Sequence, residues 1–155
     1  MTDASLPSLP LPSLGYLLDT NVISETAKLG PAAPVLRFLQ EAPAHATFIS
    51  VFTLGELRRG AELTPDSMRR AELLLWLERD VRQAFATRLL PADAGVMETW
   101  ATMVNATGRK PGQLPLFDSF IAATALHHGL TVVARNPSDF GRFGVLTFNP
   151  YEVLA

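Results

Sequence analysis

Tyr16-Leu17-Leu18-Asp19-Thr20-Asn21 decides the fold. Three apolar residues form too short a run for a helix but suit a strand buried on both faces, and Asp-Thr-Asn is a good helix opening. Leu14 to Leu18 is therefore expected to be a strand, followed by a short helix over Asn21 to Ala27. The same join recurs along the chain. Ala46 to Ser50 reads as a strand, with Ser50 capping a helix from Val51 to Leu63. Thr87 to Leu90 precedes a helix capped by Asp93 and running to about Thr107, and Leu130 to Ala134 runs into the turn-rich Arg135-Asn136-Pro137-Ser138-Asp139.

Between these joins the apolar spacing is helical. Val35, Leu36 and Leu39 mark a helix over Ala33 to Glu41, and Pro65 suits the first turn of a long helix reaching about Ala86. Thr107 to Leu114 is the one obvious internal loop; Pro115 starts a helix that Gly129 stops, and Gly144 to Phe148 is the last strand. Short strands alternating with longer helices predict a single α/β domain, with a mostly parallel sheet of about five short strands flanked by helices. Residues 1–13 carry Pro7, Pro10 and Pro12 and read as a flexible tail, leaving 14–155 for the domain.

Acidic residues recur at the joins. Asp19 ends the first strand, Glu56 follows Phe48-Ile49-Ser50, Asp118 sits inside the apolar Leu116 to Ala123, and Asp139 follows Thr131 to Ala134. A carboxylate in an apolar setting is costly unless hydrogen-bonded, paired or bound to a cation. In open parallel α/β sheets, sites form beyond the carboxyl ends of the strands, so these four segments are placed to meet. Hard oxygen ligands in that number suit Mg²⁺ or Mn²⁺ rather than zinc. Each acid also has an ordinary reading: Asp19 as an N-cap, Glu56 as a solvated helix residue, Asp118 as an exposed helix residue, Asp139 as turn chemistry.

Other chemistries fit less well. A phosphatase built on paired aspartates needs a second Asp where this chain has Asn21. There is no Gly-rich phosphate loop followed by Lys, no nucleophile elbow, and no Cys for a disulfide or a thiolate metal site. His127 and His128 precede Gly129, where a helix end favours them as caps. A formal charge of −2 argues against a dedicated DNA-binding module with a broad basic surface, though 11 of the 13 basic residues are Arg, suited to phosphate. With no signal-peptide pattern and no membrane-length apolar run, a soluble cytoplasmic protein is expected.

The motifs resemble a known family. Leu17-Leu18-Asp19-Thr20-Asn21-Val22-Ile23-Ser24-Glu25, Leu54-Gly55-Glu56-Leu57, Phe117-Asp118-Ser119-Phe120-Ile121-Ala122-Ala123 and Val133-Ala134-Arg135-Asn136-Pro137-Ser138-Asp139-Phe140 stand in the order and spacing of PIN-domain proteins, the VapC toxins and FitB-like proteins above all. The resemblance spans about residues 14–152. It implies a PIN-like fold and a Mg²⁺-dependent ribonuclease, with Asp19 and Asp118 as metal ligands and Glu56 as a third catalytic acid. Thr20, Asn21, Ser119 and Asn136 would form the polar surround. Some family members carry an acid where this chain has Asn136, so Asp139 is expected to serve as the fourth acid. The implied partners are an RNA substrate, a VapB-like antitoxin and a second copy of the chain. A FitB-like part in a DNA-binding regulatory complex with little nuclease activity, or a silent interaction module, are the alternatives.

Overall fold

The structure, a computed structural model, describes residues 13–152. The expected tail lies outside these residues except for Ser13. Five parallel strands are present: β1 (Tyr16–Leu18), β2 (Thr47–Ser50), β3 (Leu89–Leu90), β4 (Thr131–Val133) and β5 (Thr147–Phe148). Their order across the sheet is β3-β2-β1-β4-β5. The chain starts at the centre, builds to one side through β2 and β3, then returns past β1 to build the other. The direction of winding reverses between β1 and β4, which makes their carboxyl ends the switch point where α/β sheets open a crevice.

Helices cover both faces, so β1 and β4 at the centre are buried, the edge strands β3 and β5 are half-buried, and the central strands need no polar side. The period-2 alternation of a strand is visible in the packing. Leu17, Val132 and Ala134 point into one core with Val96, Met103, Val104 and Ile121, whereas Tyr16, Leu18, Ile49 and Val133 point into the other with Val22, Val35, Phe38 and Leu57. The first core is roofed by α5 (Ala94–Ala106) and α6 (Leu116–His128). The second is roofed by α1 (Thr20–Ser24), α2 (Ala33–Glu41) and α3 (Val51–Glu62), joined by the residues that follow α4 (Ser67–Trp76).

The expected caps at Ser50 and Asp93 form: Thr53 N donates to Ser50 Oγ at 3.1 Å and Val96 N to Asp93 Oδ1 at 3.0 Å. Gly129 ends α6 in the left-handed conformation, φ 67°. Three expectations change. The helix expected from Pro65 to Ala86 begins after an Asp66 cap and widens at Leu77–Arg82 into a π-helical stretch. Leu77, Val81 and Phe85 are spaced by four, and the wider turn keeps all three toward the second core. The turn after β4 ends in a one-turn helix, α7 (Ser138–Gly141), whose Phe140 is buried. β1 and β5 are shorter than their expected runs, and Leu14 and Leu146 ahead of them are exposed.

Candidate active site

Asp19 stands one residue past β1, where its amide still donates to Val133 O at 2.9 Å. Its carbonyl accepts from Val22 N and Ile23 N, so the backbone starts α1, yet its side chain makes no cap bond. The carboxylate is left for the crevice. It is buried, and burial pushes its pKa from 3.8 up to about 7; the Thr20 amide opposes the rise, and Asp118, Glu56 and Asp139 reinforce it by like charge.

The other three acids arrive on three helices. Glu56 lies midway along α3 and is half-buried; Thr20 Oγ1 donates to its Oε1 at 3.1 Å. Burial raises its pKa, the Thr20 bond pulls it back, and Asp118 adds repulsion. Asp118 is in the first turn of α6, where the helix dipole favours an anion. Its pKa is also raised, by burial and then by Asp139, while Arg142 draws it down. Asp139 lies in α7, its amide donating to Asn136 O, and makes a long, half-exposed ion pair with Arg142 at 3.8 Å.

Together these residues line a cavity of about 230 Å³: Asp19, Thr20, Asn21, Glu56, Asp118, Asn136, Asp139 and Phe140. Four carboxylates face it and, among the described residues, no Lys or Arg lines it, so only Arg142 beside it offsets part of their mutual repulsion. The acids surround the space rather than close on it. Among the described residues, no three of His, Cys, Asp or Glu converge as a complete protein cage. The donor set is carboxylate oxygen with no His or Cys, which is the chemistry of a hard cation and not of a structural zinc site. A larger depression of about 460 Å³, beside Glu98, Thr102, Met103, Leu126 and Phe143, gathers only one acid and carries no comparable chemistry.

Of the polar surround expected from sequence, Thr20, Asn21 and Asn136 line the cavity and Ser119 does not. The Ser119 hydroxyl is buried, donates to Leu116 O at 2.6 Å and accepts from Trp100 Nε1 at 2.9 Å. It ties the start of α6 to α5 and so acts on Asp118 only through the helix that carries it. Phe140 and Arg142 were not singled out from sequence. Phe140 follows Asp139 as an ordinary apolar residue, and only the short helix turns it under the acids. Arg142 is one of many arginines, and nothing local distinguishes it.

A family model described as PIN domain matches residues 16–146. The plasmid stability protein StbB of Pseudomonas syringae pv. tomato is 36% identical over 136 residues, covering 88% of this chain and 98% of StbB. The VapC ribonuclease Y4jK of Sinorhizobium fredii is 35% identical, covering 88% of this chain and 97% of its own length. Among solved structures, FitAcB from Neisseria gonorrhoeae superposes with a TM-score of 0.80 at 33% identity, covering 89% of this chain and 99% of that one.

Proposed function

Since the chain belongs to the PIN-domain family, we propose that it is a Mg²⁺- or Mn²⁺-dependent ribonuclease, the toxin of a VapBC-type toxin–antitoxin pair. The observation that carries this reading is the cavity at the switch point, lined by four carboxylates with no basic side chain. Asp19 and Asp118 would hold the cation, with Glu56 and Asp139 completing the acidic wall. A bound divalent cation supplies charge neutralisation at the scissile phosphate and a water of lowered pKa. The chain supplies placement. Thr20 holds Glu56 through its hydroxyl, the first turn of α6 presents Asp118, and Asn21 and Asn136 offer neutral hydrogen-bonding groups to a phosphate that four acids would otherwise repel.

An unrestrained nuclease needs an inhibitor, and the surface beside the cavity suits one. A groove of about 280 Å³ runs from Thr20 and Glu56 between α1, α3 and α4, floored by Leu57, Leu73 and Trp76. Glu56 lines both groove and cavity. A partner peptide seated in the groove could therefore place an Arg against Glu56 as a bidentate pair. Val35 and Phe38 of α2 are spent in the core and add nothing to this surface. Leu116 and Phe117, about half exposed beside Asp118, offer a second apolar face for another copy of the chain. Among the described residues no helix is long and apolar enough to cross a membrane.

The test is RNA cleavage by purified protein freed of any partner. Cleavage is expected with millimolar Mg²⁺ or Mn²⁺ and none with EDTA. An inert protein with an intact fold would sink the reading. The likeness to FitAB solved bound to a DNA fragment, TM-score 0.80 at 31% identity, supports a second one, a subunit of a DNA-binding regulatory complex; cation binding without appreciable cleavage would select it.

A further inference from the structure

We propose that Tyr151 is a positioning residue that sets the width of the acidic cavity by tying its two opposite walls together. The inference rests on the ribonuclease reading above. One wall is α1, which brings Thr20 and Asn21 to the cavity; the other is the turn after β4, which brings Asn136 and Asp139. α1 has five residues, far fewer than an isolated helix needs.

Tyr151 reaches both. Its hydroxyl stands 3.1 Å from Asn21 O and 3.0 Å from Glu25 Oε1, so its single proton is shared across the end of α1. Its ring receives the Arg135 guanidinium 4.9 Å from the centroid, and Arg135 immediately precedes Asn136. Asn149 completes the brace: it accepts from Tyr151 N at 2.9 Å and donates through Nδ2 to Arg135 O at 3.0 Å. The residues after β5 thus grip the chain on each side of the cavity.

Glu25 fixes the hydroxyl in place. It is only 2% exposed and accepts from Lys28 Nζ at 2.7 Å and Ala32 N at 3.0 Å as well as from Tyr151. Burial alone would raise its pKa, but these bonds from Lys28, Ala32 and Tyr151 hold it below the usual value, so it is an anchored anion. Burial and the bond to Glu25 push the Tyr151 phenol up to about 12, and it remains a donor at any working pH. Cation affinity depends on where the oxygens at the cavity wall stand, so loosening the brace weakens binding without removing any ligand.

The test compares Tyr151→Phe with Thr26→Val in the full-length protein. The first removes the hydroxyl and leaves the ring over Arg135. The second removes the bond that Trp76 Nε1 makes to Thr26 Oγ1 at 3.1 Å and the one that Thr26 Oγ1 makes to Ile23 O at 2.8 Å, loosening the end of α1 without touching the tie between walls. Mn²⁺ affinity is read by calorimetry and RNA cleavage by kcat and KM at several Mn²⁺ concentrations. Tyr151→Phe is expected to weaken Mn²⁺ binding about three- to tenfold, the worth of one hydrogen bond. It should lower kcat at limiting Mn²⁺, recover at saturating Mn²⁺, and leave the KM for RNA unchanged. Thr26→Val should lower the melting temperature and leave Mn²⁺ affinity alone. Equal affinity in Tyr151→Phe and the unmutated protein, or equal weakening in both variants, overturns the inference and leaves the ribonuclease reading standing. An unmutated protein that binds no Mn²⁺ overturns both.

Discussion

Asp19→Asn should stabilise the cation-free protein at alkaline pH, although it removes the most central acid of the site. The reasoning starts from the rise of the Asp19 pKa from 3.8 to about 7. At about 1.4 kcal/mol for each tenfold change in acidity, this corresponds to about 4 kcal/mol of unfavourable environment for the ionised form. The folded-state pKa lies above the unfolded one, so the folded state holds the proton more tightly. Above pH 7 both states are ionised and the fold bears the whole penalty. Between pH 7 and 3.8 the folded acid is protonated while the unfolded one is ionised, and the penalty shrinks as pH falls. Below about 3.8 both states are protonated and it is gone.

Asn keeps the shape and an acceptor for the Thr20 amide and never ionises. With EDTA present its gain in melting temperature should be largest near pH 8, reach up to about 10 °C for a domain of this size, and fade toward pH 4. Adding a cation should close most of that gap. The unmutated protein then gains about 2.7 kcal/mol at a concentration 100-fold above the dissociation constant, and the variant gains little. Thermal melts across pH, with EDTA and with Mg²⁺, measure all of this. A variant no more stable than the unmutated protein at pH 8, or a gain flat across pH, would refute the claim that the Asp19 carboxylate is strained by burial among like charges.

Asp118→Asn should abolish the rise in melting temperature that Mg²⁺ or Mn²⁺ gives the unmutated protein, while leaving the cation-free fold intact by circular dichroism. Asp139→Asn should reduce RNA cleavage less than Asp19→Asn, whose loss is expected to be on the order of 10²-fold. Asp139 is partly engaged by Arg142 and stands in a short helix, and equal losses would make it a direct ligand. Leu73→Glu in the groove should prevent co-purification with a co-expressed antitoxin and leave cleavage by the free protein unchanged; a co-purifying, inhibited complex would place the partner elsewhere.

The sheet was readable because its signals are local. Tyr16 to Leu18 and Thr131 to Val133 are short apolar runs between helix signals, and Ser50 and Asp93 cap the helices that follow with bonds confined to one turn. The π-helical stretch after Trp76 was not readable. A four-residue apolar spacing is common to a regular helix and a widened one, and only the position of the core decides between them. The short helix at Ser138–Gly141 was hidden for a related reason: Asn-Pro-Ser-Asp is ordinary turn sequence, and its helical turn is held partly by burial of Phe140.

The site divides along the same line. Asp19, Glu56, Asp118 and Asp139 were visible because an acid beside a buried segment is conspicuous wherever it occurs, and the end of β1 with α3, α6 and α7 brings the four to one cavity. What surrounds the acids was less visible, because a polar side chain's partner is chosen by tertiary contact. Ser119 and Thr20 both neighbour an acid in sequence, yet the hydroxyl of Thr20 meets Glu56 across 36 positions, whereas that of Ser119 turns to Trp100. Tyr151 is the extreme case. It lies 130 positions from Asn21, and nothing local to Asn149-Pro150-Tyr151 announces that its hydroxyl ends against the first helix. An acidic centre of this kind is legible in its charges, which must all be present wherever they stand. It is illegible in the neutral bonds that hold those charges at a working distance, since each can be made by any donor the fold happens to bring near.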